Sequence, residues 1–125
     1  MQLIDNLLFL EDIKKTENGF EATLRTNPEH MIYKAHFPGN PITPGVCVVQ
    51  TAGELLEREL NREVYLKNVK NVKFLSVIIP EKDKKIKYDF SNLTEDETEC
   101  KVQVTVSDDD VVYAKMSLIF SYERL

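Results

Sequence analysis

One stretch of this chain, residues 44–60, has the composition and length of a helix that could cross a small domain, and most of what flanks it reads as strand. At 1.5 Å per residue such a helix is about 25 Å long. Val46, Cys47, Val48, Val49 and Ala52 make its first half apolar on nearly every side, while Gln50, Glu54, Glu57, Arg58 and Asn61 form a polar stripe. A helix of that pattern is buried where it begins. Thr43-Pro44-Gly45 predicts its start, with Thr43 as N-cap and Pro44 at the first helical position, where the missing N–H costs nothing. With the Thr43 hydroxyl taking the N–H of Val46, the Gly45 N–H is left for another acceptor. An amide at a helix N-terminus suits an anion or a polarised carbonyl oxygen.

Around this helix the chain predicts strands. Residues 7–13 and 20–25 flank Asn18-Gly19, a hairpin turn signal. Residues 27–31 read as loop or a short helical turn. Further strands fall near residues 64–79, 84–91, 98–107 and 111–122, the first long enough to bend or break. Val102, Val104 and Val106 alternate with Lys101, Gln103 and Thr105, so one sheet face meets water. The acidic run Asp108-Asp109-Asp110 reads as a hairpin tip rather than a metal site, because it lacks companion ligands at a recognisable spacing. The pattern predicts an α+β domain, one antiparallel sheet packed on one helix, spanning residues 1–125 as a single unit.

Composition narrows the classes. A hydrophobic content of 42% and a charged content of 30% are those of an ordinary globular domain. The first ten residues lack the basic region and cleavage site of a signal peptide, and no apolar run reaches the length of a membrane span. Cys47 and Cys100 make no disulfide framework, so a reducing cytoplasm is the expected home. The net charge of −5 and the lack of a basic stripe interleaved with aromatics argue against nucleic acid. Residues 61–90 nevertheless carry eight Lys/Arg against four Asp/Glu. Lys82, Lys84, Lys85 and Lys87 there could steer an acidic protein partner, or could simply protect a solvated strand edge.

Ahead of the helix stands His36-Phe37-Pro38-Gly39-Asn40-Pro41-Ile42-Thr43-Pro44-Gly45-Val46. This run resembles the active-site motif of the hotdog-fold 3-hydroxyacyl-[acyl-carrier-protein] dehydratases, His-Phe-Pro-Gly-x-Pro-x-x-Pro-Gly-Val, at every fixed position. Residues 65–90 are similar to the next strands of that family, with Pro80-Glu81-Lys82-Asp83 where Pro-Gly-Asp is usual. The resemblance implies a hotdog fold, a sheet wrapped round one long helix, working as a homodimer or higher homo-oligomer with its site between protomers. It implies acyl carrier protein as the partner that brings the substrate, and neither metal nor other cofactor. It also implies His36, Gly45 and the helix side chains Gln50 and Glu54 as catalytic positions, with Phe37, Pro38, Gly39 and Val46 against the substrate.

The chain departs from the family at one point. Fourteen residues after the histidine the family carries Glu or Asp, and four residues later often Gln; here these positions are Gln50 and Glu54. Elimination of water from a 3-hydroxyacyl thioester needs a base at C2, a donor to the thioester oxygen and a proton for the departing hydroxyl. Imidazole suits the first and the Gly45 amide the second. For the third, Gln50 holds water or hydroxyl without acting as an acid. Three readings stay open: His36 shuttles the proton alone, Glu54 supplies it from one turn along, or catalysis is lost and the chain is an acyl-binding or silent subunit. A solvent-facing role for the polar stripe is the alternative to a catalytic Glu54. Tyr33 and Phe37 read as loop anchors, and His30 as a surface residue. A hotdog thioesterase is the weaker alternative, since those enzymes typically place a helix carboxylate without this histidine loop.

Overall fold

The computed structural model describes residues 2–35 and 39–124. Strands β1 (Leu8–Lys15) and β2 (Phe20–Thr26) form the first hairpin, followed by a short helix α1 (Ile32–Ala35) and the long helix α2 (Gly45–Leu60). Strands β3 (Tyr65–Phe74), β4 (Lys85–Glu95), β5 (Glu99–Ser107) and β6 (Val112–Ser121) complete one six-stranded antiparallel sheet of order β1-β2-β4-β5-β6-β3. This is the α+β hotdog arrangement, with α2 against one face of the sheet.

Alternation along the strands builds that face. Ile86, Tyr88 and Phe90 of β4, Val102, Val104 and Val106 of β5, and Met116, Leu118 and Phe120 of β6 are buried at every second position. Helix α2 meets them with Cys47, Val48, Ala52, Leu55 and Leu56. Tyr88, fully buried, donates its hydroxyl to the Val48 carbonyl at 2.9 Å, tying helix to sheet. Burial raises its pKa, so the phenol stays protonated and keeps donating. Phe20 and Phe90, directly paired across strands, stack with ring centroids 4.2 Å apart.

The Asn18-Gly19 turn forms as expected, but glycine is needed there for space. A Cβ at Gly19 would lie 2.0 Å from the Phe90 carbonyl oxygen. At the other end of the chain, the Asp108 carboxylate accepts the N–H groups of Asp110 and Val111 at 2.9 and 2.8 Å, so the acidic run is a turn. Helix α2 stops at Asn61, whose left-handed conformation (φ 53°) suits an Asn cap, with the Arg62 N–H returning to the Glu57 carbonyl at 3.3 Å.

The expected strand over 64–79 ends at Phe74. Beyond it the Leu75 and Ser76 N–H groups both turn to the Tyr113 carbonyl, and the Ile78 carbonyl accepts the Thr43 N–H at 2.9 Å. The chain after β3 thus braces the entrance to α2 instead of extending the sheet.

Candidate active site

Helix α2 begins one residue later than the sequence predicts. Pro44 is the N-cap, with extended backbone (φ −61°, ψ 143°) and no side-chain cap; Gly45 is the first helical residue. Thr43 does not cap because its hydroxyl is engaged elsewhere, 2.8 Å from the buried Tyr33 hydroxyl. The Pro44 carbonyl accepts the N–H of Cys47 and of Val48. The Gly45 N–H, in the first turn, has no carbonyl behind it within the helix. Among the described residues no acceptor meets it. The Phe74 ring lies over this point: a Cβ on Gly45 would come within 2.8 Å of its Cζ. Glycine therefore lets the aromatic ring close on the helix start.

Beside the helix lies an open cavity of about 690 Å³. Val46, Val49, Gln50, Gly53, Glu54, Glu57 and Arg58 line it from α2, at the three- and four-residue spacing of one helix face. Val64, Leu66 and Phe120 line it from the sheet, and Gln2 and Ile4 from the N-terminal segment. Gln50, Glu54, Glu57 and Arg58 of the predicted polar stripe therefore face this cavity together with Val46, which is 73% exposed, while Asn61 caps the helix and is not among the lining residues. Gly53 keeps the wall thin where Phe120 approaches, since a Cβ there would meet the Phe120 Cε1 at 3.2 Å.

Gln50 and Glu54 are brought together. The Gln50 Nε2 donates to Glu54 Oε2 at 2.9 Å. The same carboxylate accepts the Leu3 N–H on both oxygens, at 2.9 and 3.0 Å, and the Ile4 N–H on Oε1 at 2.9 Å. Leu3, Ile4 and Leu7 are buried beneath this clip. The role of the N-terminal segment was not legible in the sequence, because the groups it offers to Glu54 are backbone amides that any residues supply.

Of the other predicted positions, His36, Phe37 and Pro38 lie outside the described residues. Gly39 adopts φ +81°, a conformation open to glycine, with open space around its Cβ position. Tyr33 is an anchor, buried and joined to Thr43 across the loop that separates α1 from α2. Burial pushes its pKa up. The buried Cys47 thiol is likewise raised by burial, which suits a core residue rather than a nucleophile. Among the described residues no group of three or more His, Cys, Asp or Glu could hold a metal, and no helix is long and apolar enough to cross a membrane.

The lysines singled out above are largely paired. Lys85 lies 3.3 Å from Glu11, Lys87 3.8 Å from Glu21, and Lys84 3.7 Å from Glu81. These solvated pairs soften the local positive charge and contribute little to stability individually. Their positions fit the strand-protection reading better than a dedicated basic docking patch.

A family model described as ApeI-like, ApeI dehydratase, matches residues 12–117. Among curated proteins, the 3-hydroxyacyl-[acyl-carrier-protein] dehydratase FabZ of Lactiplantibacillus plantarum is 30% identical over 92 residues, which cover 64% of this chain and 63% of that protein. The FabZ of Latilactobacillus sakei is 25% identical over 122 residues, covering 90% of this chain and 87% of that one. The chain thus spans less than two thirds of the L. plantarum relative and most of the L. sakei one. Among solved structures, the dehydratase heterocomplex ApeI:P from Xenorhabdus doucetiae is similar with a TM-score of 0.72 at 14% identity, covering 91% of this chain and 97% of that one. A mutant thioesterase from Pseudomonas aeruginosa is similar with a TM-score of 0.64 at 13% identity, covering 94% and 82%. At these identities the structural likeness is one of fold.

Proposed function

The chain belongs to the ApeI-like dehydratase family, and from that premise we propose that it removes water from a 3-hydroxyacyl thioester carried on acyl carrier protein. His36 takes the proton from C2, and the electron pair of that C–H bond becomes the C2–C3 double bond as the C3–O bond breaks. The hydroxyl leaves as water with the proton His36 collected, giving a trans-2-enoyl thioester. The Gly45 N–H donates to the thioester oxygen as negative charge grows there, a preformed donor that needs no rearrangement. Gln50 holds the C3 hydroxyl, and Val46 and Val49 take the apolar chain. Phe37, Pro38 and Gly39 complete the substrate loop.

The observation that carries this reading is the Gly45 amide. It stands in the first turn of α2 with no acceptor among the described residues, next in the chain to Val46 of the cavity wall. Two copies join along β3 and place the site between them, in the cytoplasm. An acyl-binding subunit without turnover is the second reading, favoured by the four hydrogen bonds that already occupy the Glu54 carboxylate.

The test follows enoyl formation from a 3-hydroxyacyl carrier thioester. His36→Ala should abolish turnover; equal rates in both proteins would remove His36 as the base. Gly45→Pro deletes the N–H at a first-turn position whose backbone admits proline, since Pro44 is already extended. It should lower kcat by about 10²-fold or more, as loss of an oxyanion donor does. Gly45→Ala, which meets Phe74 equally but keeps the N–H, should lose far less. Equal losses in the two variants would argue against the amide. Binding of the acyl carrier with no turnover by the wild-type chain would favour the second reading.

A further inference from the structure

We propose that Glu54 is a positioning residue that fixes which end of the Gln50 amide faces the cavity, and so makes the site select a hydroxyl over a carbonyl at C3 of the acyl chain. The proposal rests on the reading above for the identity of the ligand. Glu54 Oε1 accepts the N–H groups of Leu3 and Ile4, both at 2.9 Å, and Oε2 accepts the Leu3 N–H at 3.0 Å and Gln50 Nε2 at 2.9 Å. Among the described residues, every group that hydrogen-bonds to this carboxylate is an N–H donor.

An ionised carboxylate only accepts, whereas a glutamine amide has a donating and an accepting end. Glu54 therefore holds the NH₂ of Gln50 and directs the carbonyl oxygen to the other side of the planar group. Gln50 and Glu54 both line the cavity, one helical turn apart. Gln50 makes contacts beyond the one to Glu54, and its carbonyl carries two lone pairs, so it can receive a ligand hydroxyl beside another donor. A 3-hydroxyl donates to that oxygen. A 3-oxo group offers only lone pairs, and acceptor would face acceptor. Sites built to hydrogen-bond a hydroxyl discriminate strongly against analogues that lack the donor.

The discrimination has a chemical purpose. A 3-hydroxyacyl thioester arises by reduction of the corresponding 3-oxo compound, so the reaction that supplies this substrate is a hydride transfer to a 3-oxoacyl thioester. Both compounds then share a carrier and a chain length, and the C3 substituent alone tells them apart.

Glu54→Gln inverts the arrangement with little change of shape. The oxygen of the new side chain can keep the Leu3 and Ile4 amides, which leaves its NH₂ toward Gln50. Gln50 must then answer with its carbonyl and turn its own NH₂ into the cavity.

Calorimetric titration of 3-hydroxyacyl and 3-oxoacyl pantetheine thioesters of equal length, in a His36→Ala background that leaves the ligand intact, reads the effect. The parent protein should prefer the hydroxyacyl ligand by about tenfold, the scale of one net hydrogen bond. Glu54→Gln should abolish or reverse that ratio. Gln50→Leu, which leaves the clip to Leu3 and Ile4 untouched, should also abolish it. A staple with no positioning role would weaken both ligands alike and leave the ratio unchanged, and that result overturns the proposal. Survival of the preference in Gln50→Leu overturns it even if Glu54→Gln proves unstable, and so does equal binding of the two ligands by the parent. Absence of turnover in the wild-type chain with the preference intact strikes the dehydratase reading alone. Binding of neither ligand overturns both.

Discussion

Asp108 shows how much a single side chain does in a short turn. The Tyr113 hydroxyl, with the N–H groups of Asp110 and Val111, holds its carboxyl below the usual aspartate range. A depressed folded pKa adds stability that is complete above the unfolded value, about 4, and disappears as pH falls through the folded one. Asp108→Asn should therefore be less stable than wild type at pH 7, with the gap in urea midpoint shrinking below about pH 4. A gap unchanged down to pH 3 would show that ionisation of Asp108 contributes nothing. The run from His36 to Val46 stood out in the sequence by its resemblance to a family motif, and its prolines and glycines narrow the backbone conformations open to it. The partner of Thr43 was not legible: its hydroxyl chooses between the helix amide and Tyr33, ten residues upstream, and tertiary packing decides.

Among the elements, the first hairpin and β3 illustrate opposite cases. Gly19 was recognisable as a turn residue, yet its requirement comes from β4, whose Phe90 carbonyl occupies the place of a Cβ. Gly19→Ala should thus destabilise the domain by more than about 2 kcal/mol, because backbone rather than a flexible side chain must move. A thermal unfolding curve close to wild type would show that the hairpin can yield. In β3, Leu66, Val69 and Val72 recur every third residue, a period that belongs to neither a regular strand nor an α-helix. Register shifts between Leu66 and Asn68 and between Val69 and Asn71 resolve this. They bring Leu66, Val69, Val72 and Phe74 opposite Phe120, Leu118, Met116 and Ala114, so the apolar residues share the core-facing side. The three-residue spacing is the trace these bulges leave in the sequence, but it fixes a register only once the partner strand β6 is known, which is why the strand was visible and its register was not.

For the whole molecule, one helix cannot cover six strands. Leu66, Val69, Val72 and Phe74 remain 36–53% exposed at the β3 edge, and Leu75, Val77 and Ile79 extend the apolar surface. Such an edge is a template for pairing with another chain. The wild-type protein should sediment as a dimer, and Val69→Lys combined with Val72→Lys should yield a folded monomer with little turnover. A monomeric wild-type protein with full activity would refute an intersubunit site. The strand count and central helix could be read from periodicity, whereas this uncovered margin depends on sheet order, which places β3 outermost although it is third in sequence.

The clip between Glu54 and the first residues has a practical side. Gln2 borders the cavity and Leu3 and Ile4 are pinned there, so a purification tag fused ahead of Gln2 would start at the mouth of the pocket. Recombinant material labelled at the opposite terminus should bind acyl thioesters more tightly than material labelled at the front, and proteolytic removal of a front label should abolish the difference.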